Sequence, residues 1–455
     1  MRRSFPADKF STIDSNLHRY SVDEGPVQER IKPAVVLWPE SIHDVQLAMS
    51  IAHAHDAPVV TRGAGTGVSG GAHATQGCIV LCLDKMNKIL ELNPADEIAR
   101  VEAGVINADL NAAAAAHGLM YAPDPASYKT STIGGNIATN AGGLRCAKYG
   151  VTRDAVLALD VVLADGSLIH IGHRTVKGVA GYDLTGLFVG SEGTLGVIVG
   201  ATVRLRYLPV ETRTVAAFFP DIRSAAAGVQ AIAAKRVQPA ILELLDEGTL
   251  KQLDEQQGST LRARGACLLL VQTDGHGASV EEQIIREALT VLGADITRET
   301  STEAEALVEL RRHSRGAEVE TVIRVGEDVA VPKSRLGEYI EELERIADQR
   351  EIGLKVVAHA GDGNLHPTFW VPSTSTRLVP QLDAALDESV RVGLALGGTI
   401  TGEHGIGQYK VRWLPWEQSE DVIDIQRRIK EVLDPKGLLN PGKVLPERAA
   451  VASAA

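Results

Sequence analysis

The chain has 455 residues, too many for one ordinary hydrophobic core, so length predicts two or three domains. Apolar residues make up 44% and charged residues 23%, the balance of a soluble globular protein, and a formal net charge of −12 excludes a nucleic-acid surface and a broad attraction to anionic membranes. The four cysteines, at 78, 82, 146 and 267, include no C-x-x-C pair, which sets aside a disulfide framework and an iron–sulfur cluster carried by this chain.

No uninterrupted apolar run approaches ~20 residues, and no apolar stretch follows the arginines of MRRSFPADKF. Neither a spanning helix nor a secretory signal is expected, and the expected location is the cytoplasm. From residue 33, PAVVLWP reads as a strand, Ser41 as an N-cap, IHDVQLAMSIAHAHD as a helix, and APVVT as a second strand opening into RGAGTGVSGGA. GCIVLCL, KILELN and IARVEAG read as strands, and NADLNAAAAAHGL as a helix. The polar, small-residue stretch 123–143 reads as a long loop of the kind that binds something. ALDVVLADGSLIHIG reads as a hairpin turning at Asp165-Gly166. Past Pro209 the glycine clusters stop, and AAFFP, ILELLD and ACLLLVQT alternate with helical segments, which predicts a separate α/β domain. Helices are expected over 379–397 and 419–433. The resulting division is an N-terminal segment 1–32, a glycine-rich domain 33–208, a second domain 209–410, a C-terminal helical segment 411–446, and a tail 447–455.

Gly63-Ala64-Gly65-Thr66-Gly67 partly mimics a dinucleotide fingerprint, but a strand pattern follows it rather than a helix, and no Gly-Lys-Ser/Thr is present. What remains is a run of backbone N–H groups without β-carbons, able to wrap a pyrophosphate. A third stretch, GYDLTGLFVGSEGTLGVI, is expected to bury Leu187, Phe188 and Val189 beside Ser191-Glu192-Gly193.

These three stretches, in this order, resemble the FAD-binding domain of the vanillyl-alcohol-oxidase/p-cresol-methylhydroxylase superfamily. The chain most resembles the branch holding glycolate oxidase catalytic subunits, FAD-linked D-lactate dehydrogenases and D-2-hydroxyglutarate dehydrogenases. The likeness runs roughly from residue 33 to 445. It implies an α+β fold: a two-subdomain FAD-binding domain over 33–208, plus a substrate domain built on an antiparallel sheet. It also implies that Arg62, Gly63, Ala64, Gly65, Thr66, Gly67, Ser69 and Gly70 cradle the FAD pyrophosphate. Pro123, Asp124, Ser131, Gly134, Gly135, Asn136, Thr139, Asn140, Ala141 and Gly142 would line the flavin. Glu192, Gly193 and Ile198 would hold the adenosine and ribose, and Asn440 would return to the flavin. Some relatives attach FAD through a histidine in the pyrophosphate loop; Thr66 stands in the middle of that loop here, so FAD is expected to be non-covalent, with His73 the nearest histidine.

KVVAHAGDGNLHPTFWV reads as a hairpin with a two-residue turn at Asp362-Gly363, which would set His359 directly opposite His366, with β-carbons about 5 Å apart. That separation lets two imidazoles grip one divalent ion. TITGEHGIG supplies Glu403 and His404 from a glycine-flanked loop, and two histidines with one carboxylate form a catalytic metal set. The resemblance implies the same: His359, His366 and Glu403 as ligands of Zn (or Mn or Fe), and His404 as base. A D-2-hydroxy acid can chelate such an ion through carboxylate and α-oxygen, give its hydroxyl proton to an imidazole, and release hydride from Cα to flavin N5. LVELRRHSRGAE resembles the family's L-W-x-x-R segment, which makes Arg311 the candidate for the substrate carboxylate, with Val308 where tryptophan often stands. Arg312, Arg315, Arg324 and Lys333 follow nearby without an assignment.

Lactate, glycolate and 2-hydroxyglutarate all fit these motifs, and both oxidase and dehydrogenase readings stay open. The acceptor would be a quinone, an electron-transfer flavoprotein, a cytochrome or a partner subunit, and a homodimer is compatible with the sequence. Two alternatives use the same flavin fold: a transferase like the alkyl-glycerone-phosphate synthases, and a flavin electron-transfer subunit without its own substrate.

Overall fold

The computed structural model describes residues 4–27, 29–296, 301–312 and 321–448. The chain divides into two compact units: Met1–Ala141, Val151–Leu208 and His404–Ala455 form one, and Gly142–Gly150 with Pro209–Glu403 form the other.

The first unit holds two larger sheets and a two-stranded pair, Leu119–Met120 with Arg206–Tyr207. In one, Val35–Leu37 and Val59–Arg62 flank Ile79–Cys82 in parallel, and Phe10–Ser11 adds an antiparallel edge. The crossover between Val35–Leu37 and Val59–Arg62 is the helix Ile42–Ala54, whose first turn is capped by Ser41 accepting from the Asp44 N–H. The other sheet is antiparallel, in the order Ile89–Asn93, Ile98–Glu102, Val197–Arg204, Val156–Val162, Leu168–Gly172. Its last hairpin turns through Asp165-Gly166 as the sequence predicts, with Gly166 at φ +89°. The cysteines are free thiols; Cys78, Cys82 and Cys267 are buried. Phe188 and Val189 are buried and Leu187 is packed partly against the same core.

The stretch 123–143 is not a continuous loop. Ile133–Thr139 is a helix, with Thr132 accepting the Gly135 N–H at its start and Asn140 in the left-handed region at its end. Two buried side chains, Ile133 and Ile137, hold it against Val101, Leu159 and Val203. A single i, i+4 apolar pair among glycines is too short a pattern to stand out in sequence, and core packing supplies what helix propensity lacks.

The second unit is built on an eight-stranded antiparallel sheet. Its order is Asp295–Ile296, Thr212–Phe219, Cys267–Asp274, Ile241–Leu245, Gly353–His359, Asn364–Pro372, Val322–Gly326, with Val329–Ala330 also pairing onto Asn364–Pro372. Strand and helix alternate along the chain, yet no parallel pair results, because Thr212–Phe219 and Ile241–Leu245 flank Cys267–Asp274 rather than each other. Gly142–Gly150 joins this unit. Leu144 enters the core with Phe218, Leu245 and Leu268, and the Tyr149 hydroxyl donates to Asp274 at 2.6 Å.

The hairpin of Gly353–His359 and Asn364–Pro372 corrects the expected register. Its loop is the four residues Ala360–Gly363, so His359 pairs with Asn364 and Val357 pairs with His366. The register moved by two residues, an even number, so both histidines stay on one face as diagonal neighbours with ring centroids 5.2 Å apart. The longer loop is closed by the N–H groups of Asp362 and Gly363, both donating to the His359 carbonyl. Gly363 sits at φ +89°, and a β-carbon there would lie 2.1 Å from the Val331 carbonyl oxygen. Gly363→Ala should therefore destabilise the protein by more than about 2 kcal/mol. Denaturant midpoints of the two proteins measure this, and an unchanged midpoint would contradict the contact.

Candidate active site

In the first unit the glycine-rich stretches converge. The loop after Val59–Arg62 closes on itself: the Arg62 guanidinium donates to the Val22 carbonyl at 2.7 Å and covers Gly65, where a β-carbon would lie 1.9 Å from it. Gly63 lies against Thr132, whose hydroxyl is 2.3 Å from where its β-carbon would be. A β-carbon at either position would strike the protein itself, so these glycines let the loop fold tightly while its backbone N–H groups carry no side chains, as a pyrophosphate-binding loop requires. Ala64, Thr66 and Gly67 complete the loop, and Gly70 takes φ +75°.

Beyond it, Asn107 donates to the Pro123 carbonyl and to Asn136, and Asn136 donates to Ser131, a buried polar chain that fixes the second stretch. Asp124 is buried beside it; Gly134 lies against Ala103; Gly135 and Thr139 lie one helical turn apart, joined by the Thr139 hydroxyl. Asn140 and Ala141 are tied to Arg153 and Thr152. Asn440 donates to the carbonyls of Gly71 and Glu192, which joins the first and third stretches, and accepts from Lys443. Gly193 takes φ +72° beside Thr61, and Ile198 is buried in its strand. His73 is buried with its Nε2 at 2.9 Å from Asp23 Oδ1.

Glu192, expected on the ribose side, has its carboxylate turned to the protein. It accepts the N–H groups of Ile406 at 2.7 Å and Gly407 at 2.8 Å, and the Ser69 hydroxyl donates to the His404 carbonyl. The loop that carries His404 is thus held by the third and first glycine stretches. Gly405 and Gly407 are needed there, since β-carbons would strike the Glu192 carboxylate and the Ser69 carbonyl.

In the second unit His359 and His366 bring their Nε2 atoms to 3.4 and 3.2 Å from Glu403 Oε1. The three ligand atoms lie within 4.8 Å of one another, the spacing of a shared cation. Gly142, expected beside the flavin, belongs to this unit, and a β-carbon on it would lie 2.4 Å from Glu403 Oε2. Asp328, fully buried, accepts the N–H groups of Gly402 and Glu403 and the Thr401 hydroxyl, which fixes the Glu403 backbone. Burial opposes charge on both partners, yet the two histidines hold the Glu403 carboxyl well below its usual range. Burial likewise works against the His359 proton, but Glu243 and Glu403 together hold its pKa well above the usual imidazole value. Burial keeps His366 low despite Glu403. A partly buried set of two imidazoles between carboxylates calls for positive charge, and the donor atoms fit a divalent ion that would replace the His359 proton.

Glu243 and Asp328 had no place in the sequence reading, although Glu243 is a single acid in the apolar run ILELL, where a buried charge demands a partner, and Asp328 opens the run DVAV beside Glu327. Arg311 is buried, with its Nε 2.6 Å from Glu243. Arg315 lies outside the described residues, and Trp413 is buried against Trp416 and Tyr409.

This chain belongs to the FAD-linked oxidases. Residues 208–444 match the model of the FAD linked oxidases C-terminal domain, and residues 33–172 match that of the FAD binding domain. It is an FAD-binding oxidoreductase of α+β fold. It is 40% identical over 446 residues to glycolate oxidase subunit GlcD of Bacillus subtilis, covering 96% of this chain and 94% of that protein. It is 35% identical to D-lactate dehydrogenase of Archaeoglobus fulgidus, covering 94% and 95%. Among solved structures, 4-ethylphenol oxidase from Gulosibacter chungangensis shares the fold with a TM-score of 0.78 at 21% identity, over 98% of this chain and 96% of that one. An alkyldihydroxyacetonephosphate synthase does so with a TM-score of 0.77 at 18%, over 97% and 85%.

Burial, opposed by the two N–H bonds and by Lys410 and reinforced by Asp23, pushes the Glu192 carboxyl up to about 7 from 4.5. The folded protein therefore binds this proton more tightly than the unfolded chain. The associated stability is complete below the ordinary carboxyl value and is lost as pH rises through about 7. Glu192→Gln has no proton to lose. The thermal midpoint of the wild type should fall relative to this variant from about pH 5 to about pH 8; parallel curves would remove burial as the dominant influence on Glu192.

Proposed function

We propose that this protein oxidises a D-2-hydroxy acid of the lactate, glycolate or 2-hydroxyglutarate class to the 2-keto acid, with metal assistance. The observation that carries this reading is the set of His359, His366 and Glu403, whose ligand atoms lie within 4.8 Å of one another, in a chain that matches the FAD binding domain over residues 33–172. The names of the relatives, a glycolate oxidase subunit and a D-lactate dehydrogenase, point to the same substrate class. Likeness to the synthase rests on fold alone, so the transferase reading is not favoured.

When bound, FAD supplies the two-electron acceptor and a divalent cation, which we assign as zinc with manganese or iron as alternatives, supplies acidity at the substrate hydroxyl. His359, His366 and Glu403 would hold the cation. His404 follows Glu403 directly, so the base is one peptide unit, about 3.8 Å between α-carbons, from a ligand. It takes the hydroxyl proton. Arg311, buried and held on Glu243, orients the substrate carboxylate. FAD is held without a covalent bond: Thr66 stands in the pyrophosphate loop and His73 is turned to Asp23. Electrons then pass to a quinone, an electron-transfer flavoprotein, a cytochrome or a partner subunit. Among the described residues no helix is long and apolar enough to cross a membrane. Free, mostly buried thiols agree with a reducing cytoplasm.

Acid precipitation should release all FAD into the supernatant; flavin left in the pellet would mark a covalent bond. In anaerobic titrations with D- and L-2-hydroxy acids, one D-acid should bleach the oxidised flavin band, and a chelator should suppress bleaching. His404→Ala should retain FAD and lose at least about 100-fold in the rate of bleaching. His359→Ala should lose metal and activity together. A bound flavin that no 2-hydroxy acid reduces would sink the assignment, and full metal content in His359→Ala would mean that the hairpin histidines only pack.

A further inference from the structure

Glu243 occupies the middle of Ile241–Leu245, a strand whose other four residues are apolar, and its side chain has no solvent exposure. Strand pairing places it directly beside His359. His359 Nδ1 donates to Glu243 Oε1 at 2.7 Å, and Arg311 Nε donates to Glu243 Oε2 at 2.6 Å. The two carboxylate oxygens therefore serve two different groups: the histidine of the metal set and the arginine assigned to substrate.

We propose that Glu243 is a positioning residue that locks His359 with its proton on Nδ1 and its Nε2 lone pair toward Glu403 and His366, and that sets Arg311 from the same carboxylate. The inference rests on the metal-assisted reading and deepens it. A carboxylate accepts and cannot donate, so at 2.7 Å the Nδ1 atom must carry the hydrogen. An imidazole has one remaining ring nitrogen, and here that is the atom 3.4 Å from Glu403. A ligand histidine is ordinarily oriented in this way by an outer carboxylate, whose removal weakens metal binding 10–100-fold. Arg311 keeps the carboxylate compensated in a strand where no water reaches it, and orients the oxygen left for His359. A structural role alone would have needed only an apolar residue, as at the neighbouring positions of the strand.

The test uses the full-length flavoprotein with Zn2+ as the only added ligand. Glu243→Gln keeps the shape, but its amide group must turn an N–H toward one of two donors. Zn2+ affinity, read by competition with a chromogenic chelator, should fall 10–100-fold while FAD content stays at the wild-type level. In protein labelled with 15N-histidine, the ring signals of His359 should move from a single Nδ1-protonated form to a mixture. Glu243→Asp, which keeps the charge at shorter reach, should recover part of both, and it carries the test if the glutamine variant fails to fold. Equal Zn2+ affinity in both variants and wild type, or an unchanged His359 signal, overturns the positioning role. His359→Ala, measured alongside, separates the two ideas: loss of Zn2+ there without loss in the Glu243 variants sinks only this inference. A wild type that binds no divalent ion sinks the inference and the metal-assisted reading together.

Discussion

The Glu403 carboxylate, half-buried, lies 3.4 and 3.2 Å from two imidazole nitrogens, and the second unit is arranged to make that contact tolerable. Charges this deep cost several kcal/mol each unless paired and hydrogen-bonded. Asp328 fixes the Glu403 backbone, Glu243 compensates His359, and Arg311 compensates Glu243. The chain of alternating charges runs through three strands and a helix. Only a sheet with settled register could bring its members within hydrogen-bond distance.

The first unit solves a different problem, the close approach of backbone to a large anionic cofactor. Its means is glycine, which lets the backbone fold tightly against the chain's own side chains. Gly63 leaves room for the Thr132 hydroxyl, Gly65 for the Arg62 guanidinium, and Gly405 for the Glu192 carboxylate. Asn440 then uses both its N–H groups to tie the first stretch to the third. The loop bearing His404 is clamped by Ser69 and Glu192, residues from two of those stretches.

Much of this was legible in the sequence because the signals were local. Strand and helix periods placed Val35–Leu37, Ile42–Ala54 and Val59–Arg62, and Asp165-Gly166 marked its hairpin. His359, His366 and Glu403 were singled out by residue type, spacing and resemblance, and the structure brings their side-chain donor atoms within 4.8 Å of one another. The helix Ile133–Thr139 escaped because its core-facing pattern is one pair of isoleucines among glycines. The register of the His359 hairpin escaped because an Asp-Gly dipeptide suits turns of two and of four residues, and the longer one is fixed by bonds from Asp362 and Gly363 to the His359 carbonyl and from Val331 to the Gly363 carbonyl. The histidines still met, since the error was even and preserved the face.

By itself the sequence determined which groups are on offer: glycine loops for a phosphate-bearing cofactor, and two histidines, a carboxylate and an adjacent histidine of types suited to metal binding and proton transfer. Those depend on residue type and short spacing, which a one-dimensional string records. What only the tertiary structure decided was which groups support them. Glu243 lies 116 residues from His359, and Asp328 lies 75 residues from Glu403. Glu192 lies 214 residues from Ile406. Pairing a buried carboxylate is a demand any apolar strand with one acid makes visible, but the partner that meets it is chosen by sheet order and register. Those are set by the whole core at once.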